Sequence, residues 1–358
     1  MATISLGNSL SLREFALSVA TVGKDVTVIG QGEPGIGKSS VLRTLKDIMP
    51  EYETAYIDCT LLDLSDFALP FTVEENGVRV TRFAPNARFK LHTNKPVIVM
   101  LDEIGKAMKA VKNVLLTLML EQRIGDMTLP KGSIVFGTSN NASDGVGDTM
   151  LAHAGNRVCV VRMAKPTPTE WLEWASANGV SRVVRAWVAM FPRALASYID
   201  GNQDDNPYIF KPNMSSLSFV SPRSLAKCDV IVRNRDVLGE NATMCALAGT
   251  IGHSAAGDMS AFLSLEKSLA DVKDIIKKPD SIEVPTDISA QLMIMFQAVD
   301  TLESQDDLSK FMVFVKRIAS SEVQAVFFTM MVRSPKGIKL ARNNAEIAEW
   351  ARNNHELF

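Results

Sequence analysis

The sequence predicts an α/β domain with a parallel sheet, followed by an all-α second half. Three observations lead to this fold class. Short, continuous apolar runs alternate with helical segments as far as Lys165, a glycine-rich loop follows the first of these runs, and no strand pattern appears after Thr167. Strands that are apolar throughout are typical of parallel sheets covered by helices on both faces.

The elements of the first half alternate between helix and strand. Apolar residues at helical spacing predict one helix over 11–22 and another over 39–49, which Pro50 ends. β-Branched and apolar runs predict the strands of the sheet. These runs are 26–29, 55–57, 97–101, 134–136 and 158–161.

The second half shows only helical patterns, broken by Pro, Gly and Asn. The predicted helices are 169–178, 180–190, 222–233, 256–277, 286–301, 306–318, 323–332 and 345–357. Polar stretches at 200–213 and 278–285 are candidate linkers. We therefore expect a core domain over 1–165, a helical domain over 166–277 and a C-terminal helical segment over 278–358.

The composition excludes several classes of protein. The 38 basic and 40 acidic residues give a net charge of −2, which disfavours bulk electrostatic binding of nucleic acid. The four cysteines lie far apart without a CxxC pair, so neither a zinc site nor a disulfide framework is expected. There is no signal-peptide pattern and no apolar run of spanning length, and we expect a cytoplasmic protein without a membrane span.

A phosphate-binding loop is the strongest motif. Its GxxxxGK[ST] pattern stands directly after a predicted strand and directly before a predicted helix. Glycines let backbone N–H groups surround phosphate oxygens, Lys38 supplies a charge to the β and γ phosphates, and Ser39 supplies a hydroxyl to Mg²⁺. The alternative is an ordinary glycine-rich turn before a helix. The residues predicted to contact the nucleotide are Gly32, Glu33, Pro34, Gly35, Ile36, Gly37, Lys38, Ser39 and Ser40.

Polar side chains follow two later apolar runs. Asp102 and Glu103 end the run at 97–101, and this pattern predicts Asp102 as an Mg²⁺ ligand and Glu103 as the group that polarises the attacking water. An acidic helix cap would give the same letters. Asn140 follows the run at 134–136 and is the candidate for orienting that water, with Asn141 as the substitute and a simple turn as the alternative.

The order of these motifs resembles that of AAA+ ATPases, and the segments between them resemble the MoxR branch. The segment 63–89 is similar to the place where that branch inserts a β-hairpin into the second core helix, with a turn at Glu75-Asn76-Gly77. The segment 121–130 resembles a second hairpin. The resemblance implies a three-layer α/β/α P-loop core, a helical lid, and hairpins that face the pore of a ring.

Two arginines take their roles from this resemblance. Arg157 lies in a segment similar to the one that carries the family's arginine finger, which acts on the nucleotide of a neighbouring subunit. Arg223, in Ser221-Pro222-Arg223, resembles the second sensor of the lid, which reaches back to the γ-phosphate. The alternatives are a surface arginine and a simple helix start.

The resemblance implies a Mg²⁺-ATP hydrolase working as a homo-oligomeric, hexameric ring. It would remodel a protein client, together with a partner that has a von Willebrand factor A (VWA) domain. The alternatives are a DNA-dependent AAA+ motor or loader, which the balanced charge disfavours, and a scaffold that binds ATP with little turnover.

Overall fold

A five-stranded parallel sheet organises the first half of the chain. The computed structural model describes residues 9–141, 156–214, 217–342 and 344–353, and the chain divides into two compact units, 1–165 and 166–358. The strands of the sheet are β1 Val28–Gln31, β2 Glu53–Asp58, β5 Val97–Asp102, β8 Ile134–Ser139 and β9 Cys159–Arg162. Their spatial order is β2-β5-β8-β1-β9, and every neighbouring pair is parallel.

Helices cover both faces of this sheet. They are α1 Leu12–Val22, α2 Val41–Ile48 and α3 Lys109–Glu121. The pleat of β5 sends Val99 and Leu101 into one hydrophobic core with α3, whereas Ile98 and Met100 enter a second core with α1 and α2. Two separate cores on opposite faces make the three-layer α/β/α arrangement predicted from the sequence.

Two hairpins interrupt the core. The first pairs β3 Ala68–Glu75 with β4 Val78–Pro85, and the second pairs β6 Arg123–Ile124 with β7 Met127–Thr128. Asn76 and Gly77 both have positive φ, as a two-residue hairpin turn requires.

The surroundings of the first hairpin differ from the helix expected there. Three 3₁₀ turns, Leu64–Asp66, Ala87–Phe89 and Leu91–Thr93, flank it. Lys90 and Asn94, which follow the last two turns, adopt positive φ, and this backbone conformation ends each turn after three residues.

The described residues of the second unit form helices and loops and no strand, as predicted. Its helices are α4 Pro168–Ala177, α5 Arg182–Met190, α6 Pro222–Arg233, α7 Arg235–Ile251, α8 His253–Glu266, α9 Val272–Lys277, α10 Ile288–Thr301, α11 Gln305–Lys316, α12 Ser321–Arg333, α13 Pro335–Ala341 and α14 Ala345–Asn353. One hydrophobic core runs through them and contains residues from both sides of position 277. The division of this half at residue 277 stays a prediction.

Three parts of the helical prediction are wrong, one of them being the short helix α13, which was not predicted. The single helix expected over 256–277 is two helices, α8 and α9, separated by residues 267–271. Helix α7 was not predicted, because its Val237 is 89% exposed and Gly239 kinks it at φ 74°, so it lacks a regular apolar face. Within the described residues, none of the helices combines the length and the apolar character that a membrane crossing requires.

Candidate functional site

The phosphate-loop motif connects β1 to α2 at the carboxyl edge of the sheet. Gly35 and Gly37 have φ values of 80° and 104°, a left-handed conformation that side chains disfavour. A 3₁₀ turn over Lys38–Ser40 then leads directly into α2. The glycines of the motif are therefore needed where the chain reverses from strand to helix, which is the geometry of a phosphate-binding loop.

Lys38 reaches back across this loop and is only 5% exposed. Its Nζ donates to the carbonyl oxygens of Gly32 and Glu33, at 3.0 Å each, and to Asn140 Oδ1 at 2.7 Å. A buried ammonium group needs such acceptors because its desolvation is costly. These contacts hold the charge of Lys38 between the loop and the end of β8.

Asp102 ends β5 and is nearly buried. Its Oδ2 accepts hydrogen bonds from Ser39 Oγ at 3.0 Å and from the Tyr56 hydroxyl at 2.8 Å. Its Oδ1 accepts from the Thr138 hydroxyl and from the backbone N–H of Glu103, the latter at 3.1 Å. The carboxylate is thus fixed in one orientation beside the serine of the phosphate loop.

Glu103 lies one residue on, in a left-handed conformation with φ 56°. A non-glycine residue at positive φ is uncommon, and such strain is concentrated at functional sites. The Glu103 Oε2 atom accepts from Asn140 Nδ2 at 3.1 Å and pairs with Lys106 Nζ at 3.0 Å. The Glu103 side chain thus reaches Asn140, which directly follows β8.

Asn140 connects the two halves of the site. Its amide oxygen accepts from Lys38 and its amide nitrogen donates to Glu103. Asn141, the substitute candidate, is buried. A chain of contacts from the phosphate loop to the acidic strand end therefore passes through Asn140.

Neither candidate arginine takes part in the contacts described above. Arg157 is exposed in a turn just before β9, and the approach to it, 142–155, lies outside the described residues. Arg223 is exposed in the first turn of α6, in the other unit, after a capping box formed by Ser221 and Ser224. Their roles stay predictions.

Tyr56 and Thr138 were missed by the sequence reading. Both lie on strands that neighbour β5, and both side chains bond the Asp102 carboxylate. Partial burial, followed by the hydrogen bond to Asp102, raises the pKa of Tyr56 to about 12, so its hydroxyl stays protonated and donates at neutral pH. The signal that could have found them is strand adjacency, which requires the order of the sheet.

Another buried group near the site is a thiol. Burial, followed by the negative charge of Asp102, raises the pKa of Cys59 far above its ordinary value. A thiol that remains protonated is a poor nucleophile and a poor metal ligand. Cys59 is therefore a core residue of this unit.

The residues at the strand ends suit Mg²⁺. The Ser39 hydroxyl and the Asp102 carboxylate are oxygen donors 3.0 Å apart, and Mg²⁺ prefers one or two carboxylates together with phosphate oxygens and water. No group of three or more His, Cys, Asp or Glu side chains that could hold a metal occurs in the described ranges. The donor set fits an ion shared with a phosphate rather than a cage made by the protein alone.

Comparison with known protein families gives a match over a segment that includes Ser39 and Asp102. Residues 27–154 match the family described as the AAA domain, dynein-related subfamily. Curated protein sequences give no match. Among solved structures, the chain is similar to the RuvB Holliday junction branch migration motor of Thermotoga maritima, with 14% identity, 81% of this chain and 84% of that chain covered, and a TM-score of 0.37. It is also similar to NtrX of Brucella abortus, with 14% identity and a TM-score of 0.31. This match covers 99% of the present chain and 69% of NtrX.

Proposed function

We infer, from the AAA+ P-loop fold of the first unit and the AAA-domain match over residues 27–154, that this chain binds ATP with Mg²⁺ and hydrolyses it. One observation carries the inference. Lys38 of the phosphate loop and Glu103 of the acidic strand end share the side chain of Asn140, next to the Ser39–Asp102 pair. Groups that bind phosphate and a group that accepts a proton thus lie at one edge of the sheet.

Each side chain has a separate task in this reaction. Lys38 would turn from its carbonyl acceptors to the β and γ phosphates, whose negative charge is the stronger acceptor. Mg²⁺, held by Ser39 and Asp102, would neutralise charge on the phosphate oxygens. Asn140 and Lys106 both contact Oε2 of Glu103, so Oε1 is the atom proposed to accept a proton from the attacking water.

Phosphate release from Mg²⁺-ATP tests the proposal. Lys38→Ala removes the buried ammonium group and is expected to abolish turnover and to weaken nucleotide binding. Lys131→Ala is the matched control, because Lys131 is exposed in the loop before β8. If Lys38→Ala hydrolysed ATP as fast as the control, the proposed function would be wrong.

We propose further that the active form is a ring, in which Arg157 completes the neighbour's site and Arg223 contacts the nucleotide. The exposure of both guanidinium groups leaves them available for such contacts. Mixing two inactive variants tests the first role. Arg157→Ala retains a complete phosphate loop and Lys38→Ala retains the arginine, so the mixture should regain activity only if Arg157 acts between subunits.

A second substitution tests the proposed contact of Arg223 with the nucleotide. Its substitution by alanine is expected to lower turnover in a mixture with wild-type subunits as well as alone.

Mass photometry with and without ATP would report the number of subunits, for which we propose six. A strictly monomeric protein with full activity would contradict the ring.

The proposed work of the ring is remodelling of a protein client, with a MoxR-like mechanism and a VWA-domain partner. Support comes from the first hairpin, whose Leu69, Phe71 and Phe83 are 59%, 46% and 43% exposed. Exposed apolar side chains on a projecting hairpin are suited to contact with protein.

A Glu103→Gln variant, held in ATP, should retain the client and a VWA-domain protein, and alanine at Phe71 should release the client. Turnover that DNA stimulates, and that salt abolishes, would instead indicate the DNA-dependent motor.

A further inference from the structure

We infer that Tyr56 is a positioning residue for the divalent cation, an inference that rests on the proposed function. The phenol of Tyr56 holds the Asp102 carboxylate so that, once the Ser39 hydroxyl turned away, one lone pair of Oδ2 would be open to Mg²⁺. Neither the phosphate-loop motif nor the acidic strand end includes this tyrosine. It comes from β2, the edge strand of the sheet on that side.

Strand pairing brings Tyr56 to the site. Strand β2 runs parallel to β5, with Tyr56 opposite Met100 and Asp58 opposite Asp102. From this position the phenol extends along the sheet towards its carboxyl edge, and its hydroxyl lies 2.8 Å from Asp102 Oδ2. A residue two positions before the strand end therefore reaches the carboxylate of the neighbouring strand.

Packing does not account for a tyrosine here. Tyr56 is 49% exposed, whereas its neighbours Ala55 and Ile57 are 3% and 2% exposed and belong to the hydrophobic core. A half-exposed position on an edge strand tolerates many side chains. The feature that requires a phenol at residue 56 is its hydrogen bond to Asp102.

The lone pairs of Asp102 show what the hydrogen bond does. A carboxylate has about four lone-pair positions, two on each oxygen. Thr138 and the Glu103 N–H occupy those of Oδ1, while Ser39 and Tyr56 occupy those of Oδ2. All positions are filled, so the carboxylate has a single orientation.

Cation binding changes one of these four bonds. When the Ser39 hydroxyl turns its oxygen lone pair to a cation, it withdraws its proton from Oδ2. The vacated lone pair of Oδ2 then lies beside the serine oxygen, while Tyr56 still holds the other one. Without the phenol, Asp102 would keep its two bonds at Oδ1, but Oδ2 would have no protein donor once Ser39 turned away, so this ligand atom would be less well ordered when the cation binds.

Nucleotide affinity measured with and without Mg²⁺ separates this role from a structural one. The probe is a fluorescent ATP analogue, and the measured quantity is the ratio of its Kd in EDTA to its Kd in saturating Mg²⁺. For Tyr56→Phe, we expect an unchanged Kd in EDTA and a ratio about 10-fold smaller than in wild type, which corresponds to the low end of the range for a hydrogen bond to a charged group. A titration of Mg²⁺ at fixed nucleotide should shift to higher Mg²⁺ by the same factor.

Tyr52→Phe is the matched control. Tyr52 directly precedes β2 and is buried, with Lys24 over its ring. The ratio of the two Kd values for Tyr52→Phe should equal that of wild type. An unchanged ratio for Tyr56→Phe would overturn the inference and leave the proposed function intact. An equal loss of affinity with and without Mg²⁺ would also overturn it, because it would indicate a structural role. If the wild-type protein bound no nucleotide, the proposed function itself would fail, and the inference with it.

Discussion

Asn140 offers the sharpest test of how the site is assembled. Alanine at this position removes the 2.7 Å bond from Lys38 and the 3.1 Å bond to Glu103. Hydrogen bonds to charged groups contribute about 1.5–3 kcal/mol each, and the low end applies because Asn140 is only partly buried and Lys38 keeps two carbonyl acceptors. A total loss of about 3 kcal/mol corresponds to a turnover roughly 100-fold lower.

The assay separates turnover from binding. We expect kcat for Mg²⁺-ATP to fall, while the Kd of the nucleotide stays close to that of wild type, because the phosphate loop and Lys38 remain. Asn113→Ala is the control, since Asn113 is exposed on α3. An Asn140→Ala turnover within about twofold of wild type would contradict the proposed role of Asn140. A larger loss for Asn141→Ala than for Asn140→Ala would assign the role to the neighbouring residue.

Two further predictions concern the stability of the helical unit. Asp300→Ala should lower the free energy of unfolding by about 2 kcal/mol, because the guanidinium group of Arg185, which is 1% exposed, loses a charged acceptor, while Asp300 itself is 48% exposed and partly screened by water. Denaturant unfolding measures this free energy. Tyr208 donates to Asp258, and its pKa is raised to about 12 mainly by burial. Its stabilising contribution should therefore be complete below pH 10 and be lost as the pH rises towards 12, so the melting temperature of wild type should fall more steeply in this range than that of Tyr208→Phe.

Controls for both predictions are available in the same unit. Asp306→Ala removes an exposed ion pair with Lys310 and should cost at most about 1 kcal/mol. If Asp300→Ala and Asp306→Ala lowered the free energy of unfolding equally, the burial of Arg185 would not explain the loss. For Tyr208, parallel melting curves of the two proteins across the alkaline range would show that the phenol does not titrate as expected.

The sheet could be predicted because its strands are buried on both faces. All six residues of β5 and all six of β8 are buried, and this burial appears in the sequence as uninterrupted apolar runs. Helix α7 could not be predicted in this way, since Val237 is exposed and Gly239 breaks its geometry. Helical periodicity depends on one buried face, and α7 lacks a continuous one.

The sequence predicted those residues of the candidate site that belong to recognisable motifs. Parallel strands end at one edge of a sheet, so the acidic residues after β5 and Asn140 after β8 were expected near the phosphate loop. Tyr56 and Thr138 were not expected, because their contacts with Asp102 depend on which strands are neighbours. Strand order is a property of the tertiary structure, and a local sequence pattern does not encode it.

We propose that Glu103 activates water for hydrolysis of an ATP molecule that the phosphate loop holds. The most direct measurement compares Glu103→Gln with wild type in both nucleotide affinity and phosphate release, with Glu121→Gln as the control at an exposed site on α3. We expect Glu103→Gln to bind ATP as tightly as wild type and to release phosphate at least about 100-fold more slowly, while the control matches wild type in both. Phosphate release by Glu103→Gln at the wild-type rate would contradict it.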